Sequence, residues 1–198
     1  MTAKKLVLVT GASSGIGREI SRKLCSEGYE VILTSRSKKK LNSLHTELKK
    51  LGYKSHVIPC DIRVEKEVNI LHEKSNKLGF VDCIINNAGI GRFSSIDKMS
   101  IEDWDEQINT NLRSSFLVTR LFVNRMIKEK EGKFIFINSV AGKYGHSFSH
   151  SAGYVASKYD IGIASCSVIV YNSIVAVPIK RKLFNRKKNT TFIHSHSY

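Results

Sequence analysis

The apolar run Leu6–Val9 ends at Thr10-Gly11-Ala12-Ser13-Ser14-Gly15-Ile16-Gly17, and a helix-like segment opens near Arg18. Few folds accept three glycines at that spacing between a strand and a helix. One glycine permits a tight turn, a second lets backbone approach a pyrophosphate, and a third allows the helix to pack closely on the strand. The helix that follows offers unpaired N–H groups and the positive end of its dipole to a phosphate. A glycine-rich turn that holds nothing is the competing reading, and the pattern around it decides between them.

That pattern alternates. Strand-like segments read at Leu6–Thr10, Glu30–Ser35, Ser55–Cys60, Val81–Asn86 and Lys133–Asn138. Each is short, apolar and rich in Val and Ile, as strands covered on both faces are. Helical segments lie between them. Leu41, Leu44, Leu48 and Leu51 recur at intervals of three and four before Gly52, and Val64, Val68 and Leu71 continue the scheme before Gly79. Ser100 and Asp103 form a capping-box pattern ahead of Trp104, Ile108, Leu112 and Phe116, which fall on one helical face. Successive βαβ units predict a Rossmann-like α/β fold, a doubly wound parallel sheet with right-handed crossovers. At 198 residues, with 41% apolar and 25% charged residues, the chain suffices for one such domain.

The turn departs from G-x-G-x-x-G. Its form, T-G-x-x-x-G-I-G, resembles the short-chain dehydrogenase/reductase family, and further motifs follow in that family's order. They are Asn86-Asn87-Ala88-Gly89 after the fourth strand, Asn111 within Asn109-Thr110-Asn111-Leu112, Ser139 after the fifth strand, and Tyr154-Val155-Ala156-Ser157-Lys158. The resemblance covers residues 4–160. It implies an NAD(P)H-dependent oxidoreductase that reduces a carbonyl to an alcohol, or the reverse. It also implies cofactor contacts from Thr10, Gly11, Ser13, Ser14, Gly15, Ile16, Gly17, Asn87, Ala88, Gly89, Tyr154 and Lys158.

The end of the second strand bears on which dinucleotide is used. A carboxylate there would hydrogen-bond the ribose 2′-OH of NAD. The chain instead reads Thr34-Ser35-Arg36-Ser37, followed by Lys38, Lys39 and Lys40. Arg36 can meet a 2′-phosphate through its planar fork, with the Ser35 hydroxyl assisting, so NADP(H) is favoured over NAD(H). Lys38 to Lys40 are also read as a solvated helix start. Asp61-Ile62 resembles the family's adenine-contacting pair; an acid capping the next helix explains Asp61 equally well.

The expected catalytic set is Asn111, Ser139, Tyr154 and Lys158. A free phenol titrates at about 10, so Tyr154 needs a cation to act as an acid near neutrality. Lys158, one helical turn later on the same face, supplies it. The family resemblance adds that Lys158 binds the nicotinamide ribose, Ser139 positions the carbonyl and Asn111 holds a water. Tyr144, His146 and His150 lie between Ser139 and Tyr154 and read as loop residues.

Net charge is +15, which raises nucleic-acid and membrane hypotheses. Six of the bases and none of the acids follow Asp160, so part of the excess belongs to the C-terminus. No recognition motif supports specific nucleic-acid binding. Ile161 to Ile179 is 19 residues without charge, but Ser165, Ser167, Asn172, Ser173 and Pro178 interrupt it, which argues against a span. No secretory signal reads at the N-terminus, and a cytoplasmic protein is expected. The four cysteines, Cys25, Cys60, Cys83 and Cys166, are too far apart for C-x-x-C and read as reduced thiols. His194 and His196 give no metal geometry, and no metal is expected.

After Lys158 the resemblance fades. Ser165–Tyr171 is a β-branched run ill suited to a helix, and no Pro-Gly follows. The reading is a dinucleotide-binding domain over 1–160 and a divergent, partly disordered tail over 161–198. The sheet would then be incomplete at its C-terminal edge, as from an altered or truncated C-terminus. A small-molecule carbonyl or alcohol substrate is expected, with a family-type homodimer or tetramer weakened by that tail. The alternative is a catalytically inactive dinucleotide-binding fragment or regulatory isoform.

Overall fold

The computed structural model describes residues 5–142, 150–166 and 174–179, with backbone alone for 161–166 and 174–179. Six parallel strands form one sheet: β1 (Leu6–Thr10), β2 (Glu30–Thr34), β3 (Ser55–Val57), β4 (Val81–Asn86), β5 (Lys133–Ser139) and β6 (Ile174–Ile179). Their order, β3-β2-β1-β4-β5-β6, is doubly wound. Crossovers reverse direction between β1 and β4, where such sheets open a crevice at the strands' carboxyl ends.

Successive side chains of a strand point to opposite faces, and β1 shows the consequence. Leu6 and Leu8 face α3 (Glu65–Leu78) and α5 (Ser114–Glu129), packing with Val68, Leu71, Val118, Phe122 and Met126. Val7 and Val9 face α1 (Gly15–Ser26) and α2 (Lys38–Lys50), packing with Cys25, Leu41, Leu44 and Leu48. Burying each such aliphatic side chain contributes about 1.5–3 kcal/mol. Leu51 and Val64, at the ends of their predicted stripes, are cap residues and stay exposed. Gly52, just past α2, sits at φ +79°, a backbone conformation that a Cβ would strain.

The Ser100 hydroxyl accepts the Asp103 N–H at 3.0 Å, opening α4 (Ile101–Gln107) as its capping pattern predicts. A π-helical stretch, Ile108–Arg113, then joins α4 to α5. Its wider turn shifts the register and breaks the predicted stripe. Phe116 is 58% exposed beneath the Arg120 guanidinium, while Leu117 and Val118 enter the core.

The chain after Asp160 departs from expectation. α6 (Ala152–Cys166) runs on past Asp160, and β6 pairs with β5 from Phe134↔Ile174 to Ser139↔Ile179. The sheet therefore extends one strand beyond the five read from the sequence. Ile174, Val175, Val177 and Ile179 are β-branched and favour extended backbone, and Pro178 is tolerated because β6 is an edge strand. Among the described residues no helix is long and apolar enough to cross a membrane. Tyr144, His146, His194, His196 and the six tail bases lie outside the described residues.

Candidate active site

A cleft of about 490 Å³ opens at the carboxyl ends of β1, β2 and β4. Its floor is the glycine turn. Gly11 and Gly15 adopt left-handed φ of +68° and +53°. A Cβ on Gly11 would lie 2.9 Å from Ala88 Cα, one on Gly17 would collide with Asn87 Nδ2 and Gly11 O, and one on Gly15 would meet nothing within 4 Å. The first and third glycines thus serve packing, and the middle one faces open space. Ser14 caps α1 without a side-chain hydrogen bond, and no acid stands in the first turn. The N–H groups there remain available to an anion.

Gly11, Ser13, Ser14, Gly15, Ile16, Ser35, Arg36, Asp61, Ile62, Asn87, Ala88 and Gly89, all expected as cofactor contacts, line the cleft. Thr10 and Gly17 stand behind it. Thr10 Oγ1 donates to the Ile85 carbonyl and accepts the N–H groups of Asn87 and Ala88, each at 3.0 Å. It shapes the wall without lining it. Ser37, Lys40, Cys60, Arg63, Ile90 and Thr110 line the cleft as well. Lys40, whose N–H meets the Ser37 hydroxyl at 3.4 Å, was readable as one turn into α2; Ile90 and Thr110 carried no local signal.

Ser35 Oγ is buried without a hydrogen-bond partner, beside the exposed Arg36. An orphaned hydroxyl next to a guanidinium, with Lys40 nearby, fits a phosphate group. Asp61 is engaged differently. Its carboxylate accepts Arg63 Nε at 2.9 Å, Nη2 at 2.6 Å and the Arg63 backbone N–H at 3.1 Å. That guanidinium holds the acid below the usual carboxylate range. The capping alternative falls away, because Val64 is the N-cap of α3. Burial pushes the Cys60 thiol up to about 12, leaving it inert. Among the described residues no cluster of three His, Cys, Asp or Glu could hold a metal.

Asn111, Ser139, Tyr154 and Lys158 do not line this cleft; Asn111 and Lys158 adjoin it behind Gly89. Asn111, fully buried on the π-helical stretch, accepts the Ile90 N–H at 2.8 Å and donates to the Ile90 carbonyl and Ser157 Oγ, both at 2.9 Å. Both amide protons are engaged, and the side chain clasps the loop after β4 to α6. Lys158, 5% exposed, donates to the Ile137 carbonyl at 3.0 Å, and burial lowers its ammonium to about 8. A Cβ on Gly89 would lie 3.1 Å from Asn111 Oδ1 and 3.4 Å from Lys158 Nζ. Cleft and buried amine therefore meet at one glycine.

Ser139, at the end of β5, accepts the Ala141 N–H at 3.2 Å through Oγ. Its own hydroxyl proton is left to donate elsewhere. Tyr154 stands in the first turn of α6 with its ring tilted against Phe93, centroids 5.5 Å apart. The Lys158 ammonium, one helical turn from Tyr154 along α6, gives its hydrogen bond to the Ile137 carbonyl. His150 is exposed at φ +57°, ahead of α6.

The family model described as short chain dehydrogenase matches residues 5–164. The 3-oxoacyl-(acyl-carrier-protein) reductase of Aquifex aeolicus is 38% identical over 144 residues, 72% of this chain and 58% of that protein. The sepiapterin reductase of Chlorobaculum tepidum is 32% identical over 164 residues, 79% of this chain and 66% of that protein. Both curated relatives are thus longer than the chain, which spans less than two thirds of either. Actinorhodin polyketide ketoreductase, solved with NADPH, superposes with a TM-score of 0.78 at 33% identity, covering 82% of this chain and 63% of that one. A metagenomic short-chain oxidoreductase in complex with NADP gives 0.78 at 34% identity, covering 82% and 74%.

Proposed function

This chain belongs to the short-chain dehydrogenase family, and on that premise we propose that it is an NADP(H)-dependent oxidoreductase interconverting a carbonyl and an alcohol on a small molecule. The observation that carries the reading is the contact at Gly89, where the cleft over the glycine turn meets Asn111 and Lys158. The first turn of α1 would hold the pyrophosphate and Ser35 with Arg36 the 2′-phosphate. Lys158, next to Gly89, would hold the nicotinamide half. Bound there, the reduced cofactor supplies a hydride for the carbonyl carbon.

The chain's own residues handle the oxygen. Tyr154 would give its hydroxyl proton to the carbonyl oxygen, its O–H bond breaking as the alcohol O–H forms, and solvent would reprotonate the phenolate that remains. The Lys158 ammonium lowers the cost of that phenolate. Ser139 donates a hydrogen bond to the same oxygen and fixes its position. Asn111 keeps the loop after β4 and α6 in register, so that these groups face one point. The exposed Phe116 and Tyr159, on α5 and α6, support assembly of identical chains.

Titration with NADPH and NADH, followed by NADPH oxidation in the presence of a ketone panel, tests the proposal. Tighter binding of NADPH with steady turnover of at least one ketone is expected. Failure to bind either nucleotide would overturn it. Binding with no turnover would favour a second reading, a dinucleotide-binding protein without catalysis, which the engagement of Lys158 with Ile137 supports.

A further inference from the structure

We propose that Gln107 is a positioning residue that seats Phe93 against Tyr154, building an aromatic wall beside the proton donor; the inference deepens the reductase reading and rests on it. Gln107, the last residue of α4, is fully buried although its side chain is a polar amide. Its Oε1 accepts the Arg92 N–H at 2.9 Å, and its Nε2 donates to the Asp103 carbonyl at 3.1 Å. The same amide abuts the start of α6. A Cβ on Gly153 would lie 2.6 Å from Gln107 Nε2 and 3.3 Å from Trp104 Cε3. One side chain thus touches the residue preceding Phe93 and the residue preceding Tyr154.

The loop is shaped for this arrangement. A Cβ on Gly91 would lie 2.7 Å from Phe93 Cζ and 3.5 Å from Tyr154 Cδ2, so a side chain there would push the Phe93 ring from this position. Phe93 remains 53% exposed, leaving part of its ring to a substrate. Arg92 also pairs with Glu106 at 2.9 Å and Asp103 at 3.5 Å. Those pairs are half-exposed and hold weakly, whereas the Arg92 N–H is held by the acceptor of a fully buried side chain. The amide is therefore the clamp and the ion pairs are trim.

The test combines amide exchange with a double-mutant cycle in the full chain. Gln107→Met should speed exchange of the Arg92 amide about tenfold or more. It should lower kcat about 10- to 100-fold, because small misplacements of reacting groups are costly. KM should move less than kcat, and the NADPH Kd should stay within about twofold, since Gln107 does not line the cleft. In the Phe93→Ala background the same substitution should change kcat by less than about twofold, since both act through one ring. Unchanged Arg92 exchange, or equal losses in both backgrounds, would overturn the proposal.

Should Gln107→Met not fold, Gln107→Glu replaces it, because a carboxyl keeps an acceptor toward the Arg92 N–H. Retained Arg92 protection with kcat within about threefold of wild type supports the clamp; lost protection sinks it. A wild-type chain that turns over no ketone counts against the reductase reading alone, and the Arg92 exchange rate still decides the clamp.

Discussion

Around the glycine turn the cleft is lined by segments that each follow directly on a strand. Gly11 to Ile16 follow β1, Ser35 to Ser37 follow β2 and Asn87 to Ile90 follow β4. Around Tyr154 the parts are side chains drawn from α4, the π-helical stretch, β5 and α6, held by buried hydrogen bonds. The first region depends on the absence of side chains at glycines. The second depends on having a particular amide or amine in the right enclosure. Substitutions should therefore separate the two, nucleotide binding failing in one and turnover in the other.

The sharpest separation is expected from Tyr154→Phe, which removes the proton donor and leaves the cleft intact. Turnover should fall by about 10²- to 10⁴-fold, while titration shows NADPH binding unchanged; a comparable loss of binding would erase the distinction between the regions.

Lys158 gives the next largest effect, read through pH. Burial lowers its ammonium from 10.5 to about 8. The folded chain therefore releases this proton at about pH 8, whereas the unfolded chain holds it to 10.5. Between those values unfolding takes up a proton, so stability rises with pH, by roughly 3 kcal/mol over the window. Urea denaturation at several pH values should show wild type gaining on Lys158→Met across that range. A constant difference would mean that the amine is not desolvated.

Gly17→Ala acts on the other region. The added methyl has no space between Asn87 and the Gly11 carbonyl, and such overpacking costs about 1–3 kcal/mol. A lower melting temperature and weaker NADPH binding are expected together. Arg36→Ala should have the smallest and most selective effect. NADPH binding should weaken about 10-fold and NADH binding should hold, as read by calorimetry; equal weakening of both would remove Arg36 from the phosphate site.

Much of the cleft was legible because its signals are local. Strand and helix periods, a serine ahead of α2, and glycines between β1 and α1 each act within a few residues. Gly17 stands where the packing role of a third glycine puts it, and Thr10 backs the wall because a motif specifies which residues surround a ligand, not which of them face it. Asp61 lines the cleft beside Ile62, and only the tertiary structure shows the Arg63 guanidinium on its carboxylate. On the catalytic side the residue types were readable, but not their partners. Nothing near Lys158 in sequence points to the Ile137 carbonyl, and nothing near Gln107 points to Arg92. Phe116 was placed on the wrong face because a π-helical turn, whose cause lies in packing, shifts the helical register.

By itself the sequence determined the alternation of strands and helices, the glycine turn and the basic end of β2. These follow from side-chain period, from the lack of a Cβ and from charge, properties that each residue carries with it. Tertiary structure alone decided that β6 joins the sheet, that Asn111 clasps Ile90, and that Lys158 is desolvated. A buried polar group takes whichever partner the packing brings within reach, and edge pairing depends on which strand lies beside it.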